Sequence, residues 1–452
     1  LVGEVGRAIA LEARSRGIRQ ILSPVLNIAR DVRWGRTEET YGEDPHLTTQ
    51  MAVAFIRSFE NAGVITTPKH FVANVGAGGR DSYPIQYNER LLEEAYFPAF
   101  KAAFTLAGAR SVMTAYNSLD GTPCTSNEWL LRRKLKEEWG FKGFVISDAG
   151  ATGGANVLHF TAADYPEATE DAVEGGLDVL FQTAYAHYPL FWEAFRNGIV
   201  DQKAIDDAVR RVLSAKFELG LFEDPYTAPE KAAFWNGHEN HRELARTAAA
   251  KSMVLLQNKG QVLPLDRSIK KLALIGFDAK AGRLGGYSGP GNNVVSIYDG
   301  AGRMIGEDKI AYAPGVPLHD VPYETIAPEY LSTLDNGKTV PGLKGEYFDN
   351  IHLEGNPRVS RIDEKVQFGW TLFSPHPTLA YDWYSVRWSG TLKAPGTGTY
   401  KIGVEGNDGY RLYLDGKLLI DNWKKQSHRA LLEDFAFEAG REYNLQLEFF
   451  EP

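Results

Sequence analysis

The stretch "GFVISDAGATGG", residues 143–154, decides how this chain is read. Phe144, Val145 and Ile146 make a short apolar run suited to a buried strand, Ser147 and Asp148 end it, and small residues leave space above the carboxylate. A carboxylate in that position is held rigidly from below and open from one side, which suits a nucleophile. The competing reading is an Asp that caps the following turn or helix.

Working outward, strand-like runs occupy residues 18–28, 63–73, 110–118, 143–149 and 176–182. Helix candidates lie between them at 44–60, 88–106, 126–139 and 168–174, the third opened by a capping box at Thr125 and Glu128. This alternation predicts parallel strands with helical crossovers. Doubly wound sheets and closed barrels share it, so the polar residues must arbitrate. Lys69 with His70, Tyr116 and Asp148 end different strands, and Arg36 sits in the loop after the first run, while the strand starts are bland. Several strands each contributing one polar group fits the active face of a (β/α)8-type TIM barrel better than a single crevice.

A helical stretch at 201–222 closes this region, so residues 1–222 read as a barrel-like catalytic domain whose N-terminal part is missing. Residues 223–240, rich in Pro, Gly and Asn, read as a linker. Residues 241–341 open with a helix over 241–258 and the strand "KLALIGF", the first part of an α/β sandwich domain. From 342 to 452 aromatic and polar residues alternate, and Asp415-Gly416 between two strand-like runs signals a hairpin, so this part is an all-β sandwich.

Composition excludes some functions. A net charge of −9, with no cluster of Lys and Arg, argues against nucleic acid as a partner. No apolar run is long enough to span a membrane. The single cysteine, Cys124, rules out an internal disulfide framework and reads as a small buried residue. The N-terminus lacks Met and a signal peptide and places Val5, Ala8, Ile9 and Ala13 on one helical face. It therefore reads as a helix entered midway, in a fragment or processed product. The compartment and the oligomeric state stay open, with a location outside the cytoplasm favoured over one inside.

Each candidate has a plainer reading. One of Lys69 and His70 can cap a loop while the other is a satisfied core group, and Arg36 can belong to a surface ion-pair network with the acidic residues after it. Tyr116 and Met113 are more often core than functional. "LIGFDAKAGRLGG" follows a strand but lacks dinucleotide-loop spacing. His238 and His241 have metal-ligand spacing but no third partner, and a helix start explains them better.

Together the segments "RDVRWGRTEETYGEDP", "TPKHFVANVGAGGRDS", "SVMTAYNSLDGTPCTSN", "LLRRKLKEEWGFKGFVISDAG" and "KSMVLLQNKGQVLPL" resemble glycoside hydrolase family 3, in the family's order, over about residues 1–340. The resemblance implies a β-glucosidase that needs no cofactor and no metal, with Asp148 attacking the anomeric carbon. It implies that Arg36, Lys69, His70, Arg80, Met113 and Tyr116 hold the sugar, joined by Ser288 from "GGYSG". A retaining mechanism also needs a second carboxyl group about 5–5.5 Å from the first. The family places that Glu beyond the inserted β module, and a sugar-holding Asp upstream of Leu1, so neither is assigned here. The family's N-acetylglucosaminidases carry a His in the loop after the Lys-His pair; this chain has Asp81 there without the His, so neutral β-glucosides fit better. Ala149 stands where many members have Trp, which predicts weaker stacking on the leaving group.

Residues 342–452 resemble the protective-antigen module inserted in some β-glucosidases, where it limits substrate length. Some such modules bind calcium through adjacent aspartates; Asn407-Asp408 in that position predicts no metal. The expected substrates are short β-glucosides such as cello-oligosaccharides. β-Xylosidase or mixed β-glycosidase activity is the nearest alternative, since a pocket discriminates weakly against one missing hydroxymethyl group. A non-catalytic sugar-binding protein is the alternative from another class.

Overall fold

A computed structural model describes residues 1–452 except 184, 267, 290, 317–322, 371–372 and 427. The chain divides into two compact units, Leu1–Asp320 and Val321–Pro452.

In the first unit, Gln20–Ile21 pairs in parallel with Ile65–Thr66. Pro24 and Pro68 offer no N–H to the ladder, which resumes beyond them as a parallel bridge between Val25 and Lys69. Phe71 then bridges Thr114, Ser111–Met113 pairs in parallel with Phe144–Ile146, and Ile146 bridges Val179. Each strand therefore neighbours the one before it in the chain, the order of a barrel and not the reversing order of a doubly wound sheet. Helices fill the crossovers at Pro45–Asn61, Glu89–Leu91 continuing through Pro98–Thr105, Trp129–Glu138 and Tyr165–Gly175.

The core lies between these strands and helices. Leu26, Phe71, Phe97, Phe100, Leu130 and Leu135 are at most 1% exposed. Trp139 meets Phe97 edge-on with ring centroids 5.0 Å apart. Full burial of side chains of this size is worth about 1.5–3 kcal/mol each, enough to fix the sheet against its helical layer.

Several local expectations are corrected. The first helix, Val2–Ser15, buries Gly6, Ala10, Ala13 and Ser15, whereas Ile9 is 46% exposed. Its contact with Pro45–Asn61 is too close for bulk: a Cβ added to Gly6 would meet the Phe55 carbonyl oxygen at 3.2 Å. Small residues, not the most apolar ones, therefore mark the packed face. The expected capping box does not form. Asn127 Oδ1 accepts from the Leu130 N–H, the Thr125 hydroxyl is buried against that of Thr114, and Glu128 pairs at 3.7 Å with Arg133. The stretch 223–240, read as a linker, contains a helix at Pro229–Trp235, and the helix Pro189–Arg196 has no counterpart in the sequence reading.

The helix expected over 241–258 runs from Glu239 to Ser252, its start capped by the His238 imidazole. The chain leaves it at Met253, and Met253 to Leu256 are exposed. Leu272–Ile275 and Ile310–Ala313 pair in parallel across the helix Ile297–Ile305, which opens with a Ser296–Asp299 capping box.

The second unit is all-β, and its sheet starts at Leu331–Asp335, ahead of residue 342, where the texture of the sequence changes. Tyr384–Lys393 and Glu442–Glu451 pair antiparallel along their whole length at its centre. Tyr384, Val386, Trp388 and Leu392 face inward, alternating with Arg387, Ser389 and Thr391. Asp415 and Gly416 both adopt positive φ, 46° and 75°, and turn the expected hairpin between Gly409–Leu414 and Lys417–Asn422. Buried Asp363 knots three elements, accepting from Tyr347 Oη (2.6 Å), Trp388 Nε1 (2.8 Å) and Arg361 Nε (2.7 Å).

Candidate active site

Asp148 follows the strand Phe144–Ile146, and the next strand anchors its backbone. Ser147 N–H donates to Val179 O (2.9 Å), Ser147 Oγ accepts from Phe181 N–H (2.8 Å), and Gly150 N–H donates to Phe181 O (3.1 Å). The carboxylate is split in its duties. Oδ1 accepts from the Ala149 N–H at 2.7 Å, the turn-capping role weighed above. Oδ2 is buried and has no hydrogen-bond partner among the described residues; His70 Nε2 stands 3.4 Å from it.

Lys69 and His70 end the second strand, where the Lys69 N–H donates to Pro24 O. His70 is 1% exposed, and its Nε2 lies 3.1 Å from Arg36 Nη2. Arg36 in turn grips Glu39 with Nε (2.7 Å) and Nη2 (3.0 Å) and Asp81 Oδ2 with Nη1 (3.0 Å). Asp81 Oδ1 also accepts from Trp34 Nε1 and from Asn74 Nδ2. The loop after the first strand is thereby clipped to the loop after the second, and Arg36 sits in an ion-pair network that fixes it beside His70.

The electrostatics follow from burial. Asp148 is pushed above the usual carboxylate value by burial, against the Ala149 N–H, Tyr116, Lys69 and Arg36, all of which favour the anion. Burial lowers Lys69, with Asp148 opposing. His70 lies well below its ordinary value through burial and the neighbouring cations Arg36 and Lys69, so it is neutral. Tyr116 is raised by burial and then by the Asp148 charge, and keeps its phenol proton.

Of the residues expected from the sequence, Arg36, Lys69, His70, Tyr116 and Asp148 are brought together. Met113 lies behind them, 1% exposed, its carbonyl accepting from the Phe71 N–H. Arg80 is exposed at the end of the turn Ala77–Gly79, and it is Asp81 that reaches Arg36. Ser288 is exposed on its loop, where its N–H donates to Gly285 O; the neighbouring Tyr287 instead carries its ring to Lys69, with Nζ 5.4 Å from the centroid. Cys124 is fully buried, its thiol pushed up to about 12 by burial. His238 caps a helix and His241 bonds Glu12 (2.8 Å), as their helix-start reading requires.

Asn27, Asn74 and Tyr287 have no role in the sequence reading, and Asp81 enters it only as a partial match to the N-acetylglucosaminidase loop. Asn27 carried a legible signal, a lone amide inside the apolar run "PVLNIA". Tyr287 had none, because its neighbourhood depends on a distant loop folding back. Among the described residues, no helix is long and apolar enough to cross a membrane.

Consecutive parallel β/α units that gather a buried carboxylate, two cations, an imidazole and a phenol at the strand ends define a barrel-type α/β protein with a carboxylate-centred polar cluster. Residues 1–215 match the N-terminal domain of glycosyl hydrolase family 3, and residues 339–452 match the PA14 domain. The chain is 32% identical over 453 residues to a xylan 1,4-β-xylosidase of Xylanibacter ruminicola, covering 95% of this chain and 51% of the relative. It is 34% identical over 385 residues to a periplasmic β-glucosidase of Salmonella typhimurium, covering 81% and 48%. The crystal structure of a β-glucosidase from Kluyveromyces marxianus matches with a TM-score of 0.61 at 25% identity, over 99% of this chain and 53% of that one. The chain thus spans about half the length of these relatives.

Proposed function

We propose that this protein hydrolyses terminal β-D-glucosyl residues from short oligosaccharides or aryl glucosides with retention of configuration, through a glycosyl-enzyme ester on Asp148. The observation that carries this reading is the divided carboxylate. One oxygen is fixed by a backbone N–H and the other is unpartnered, facing an imidazole, two cations and a phenol. Oδ2 attacks the anomeric carbon, the glycosidic bond breaks, and the aglycone leaves with its electron pair. Arg36 and Lys69 offer hydrogen bonds to sugar hydroxyls that strengthen as the oxocarbenium-like transition state develops. The acid that protonates an ordinary aglycone, and later the base that activates water, is a second carboxyl group.

β-Xylosidase activity is the second reading, favoured by the named activity of the Xylanibacter relative. The test is intact-mass measurement and peptide mapping after incubation with 2-deoxy-2-fluoro-β-glucoside or β-xyloside bearing a dinitrophenolate leaving group. That group departs without a proton, so trapping is independent of the acid. One adduct on the peptide holding Asp148 supports the mechanism, and the faster of the two sugars settles the substrate. A folded, full-length gene product that traps neither sugar overturns the reading in favour of a sugar-binding protein.

A further inference from the structure

Asn27, 1% exposed in the first strand's apolar run, touches His70 on two sides. Its Nδ2 donates to His70 O (2.9 Å) and Ala73 O (3.2 Å), and its Oδ1 accepts from the His70 N–H at 3.0 Å. These backbone partners settle the orientation of the amide, since a flip would set a carbonyl against two carbonyls and an NH2 against an N–H. The same Oδ1 lies 2.8 Å from His70 Nδ1. A carbonyl oxygen only accepts, so Nδ1 carries the proton.

The opposite tautomer meets conflict at both nitrogens. Its bare Nδ1 would gain a donor in Asn74 Nδ2 at 3.2 Å but face the Asn27 oxygen lone pairs at 2.8 Å, and its Nε2–H would confront the Arg36 Nη2 donor at 3.1 Å. Asn74 is itself fixed by the Tyr116 N–H on its Oδ1 (3.3 Å) and turns its NH2 also to Asp81 (3.4 Å). The imidazolium fails for the same reason at Arg36, with Lys69 adding a second positive charge.

We propose that Asn27 is a positioning residue that locks His70 as the neutral Nδ1–H tautomer, so that Nε2 accepts from Arg36 and presents no proton to Asp148. This rests on the glycosidase reading for the identity of the substrate. The consequence is twofold. The Nε2 lone pair accepts from Arg36 Nη2 at 3.1 Å and so orients that guanidinium beside the carboxylate. Asp148 Oδ2, 3.4 Å from Nε2, receives no proton from His70 that would blunt its nucleophilicity. The charged and titratable groups around the imidazole are Asp148, Arg36 and Lys69, with Asp81 reached through Asn74.

The test begins with 15N-histidine NMR of the wild-type protein, His70 being assigned by its loss in His70→Gln. The expected spectrum has Nδ1 protonated and Nε2 bare from pH 6 to 8. An Nε2–H or doubly protonated His70 overturns the proposal whatever the enzyme does. Asn27→Ala removes the acceptor and is expected to mix the tautomers and to lower kcat/KM by about tenfold, the equivalent of one hydrogen bond. Asn27→Asp, whose carboxylate favours the imidazolium, is expected to add a new ionisation to the acid limb of the pH profile, which a merely structural lesion would not do. Unchanged tautomer and pH profile in both folded variants overturn the role of Asn27. Should both variants fail to fold, the wild-type spectrum still decides the tautomer. An Nδ1–H His70 in a protein that traps no glycoside counts against the glycosidase reading alone.

Discussion

His70 Nε2 stands 3.4 Å from Asp148 Oδ2, while Asp148 Oδ1 is held by the Ala149 N–H at 2.7 Å. The carboxylate therefore has one oxygen that sets its orientation and one free to react. Removing it separates function from stability. Asp148→Asn is expected to abolish trapping by the fluoro-glycoside. It is also expected to raise Tm at pH 7 by about 2–4 °C, because a site built for reaction stores destabilisation. The sign follows from the raised value of Asp148: its proton is favoured by the folded state, so its contribution to stability is present below 3.8 and is lost as pH rises through the folded value. The Tm difference between variant and wild type should vanish in acid. A difference that persists below pH 3.8 would overturn the assignment to this ionisation.

The pH profile of trapping should be narrowed from both sides. Asp148 must be ionised and is raised above 3.8; Lys69 must be protonated and is lowered from 10.5. The rate constant for adduct formation, followed by dinitrophenolate release, should thus climb above the range of a free Asp and fall below that of a free Lys. An acid limb at or below pH 3.8 contradicts the burial of the nucleophile.

Asp81 holds Arg36, Trp34 and Asn74 together. Asp81→Ala is expected to loosen Arg36 while Glu39 keeps its charge paired, costing about 10–100-fold in kcat/KM, the scale of one charge-assisted hydrogen bond. Most of the loss should appear in KM if Arg36 binds ground-state sugar, and steady-state kinetics on an aryl glucoside reads the split.

Tyr287 lays its ring beside the Lys69 ammonium. A cation–π contact at an exposed position is worth about 0.5–1 kcal/mol, so Tyr287→Ala should cost roughly 2–5-fold in kcat/KM. Tyr287→Phe should retain activity. Equal losses in both variants would assign the effect to the hydroxyl and not to the ring.

In the β unit, Asp363→Ala leaves the Trp388 N–H and the Tyr347 hydroxyl without their buried acceptor and strips Arg361 of its carboxylate. The cost is about 3–5 kcal/mol, as for breaking a buried pair. Urea unfolding monitored by tryptophan fluorescence should show the loss, and a shift of under about 1 kcal/mol would mean that Arg361 and Tyr347 satisfy each other without it.

What the sequence determined by itself is the order of elements and the identity of the strand-end chemistry. Alternating strand and helix periods, a polar residue closing each apolar run, and the Asp415-Gly416 turn are local signals, written within a few residues of where they act. Local signals erred where a neighbour overrode them. Close helix packing selected Gly6 and Ala10 over Ile9, and Thr125 was drawn into the core by Thr114, leaving Asn127 to cap the helix. Tertiary structure alone decided which candidates meet: it joined Arg36 to His70 through two loops, chose Asp81 over Arg80 and Tyr287 over Ser288, and set Asn27 behind His70. Charge state and tautomer belong to that second class, because desolvation and the lone pair across a 2.8 Å gap are set by atoms far apart in the chain.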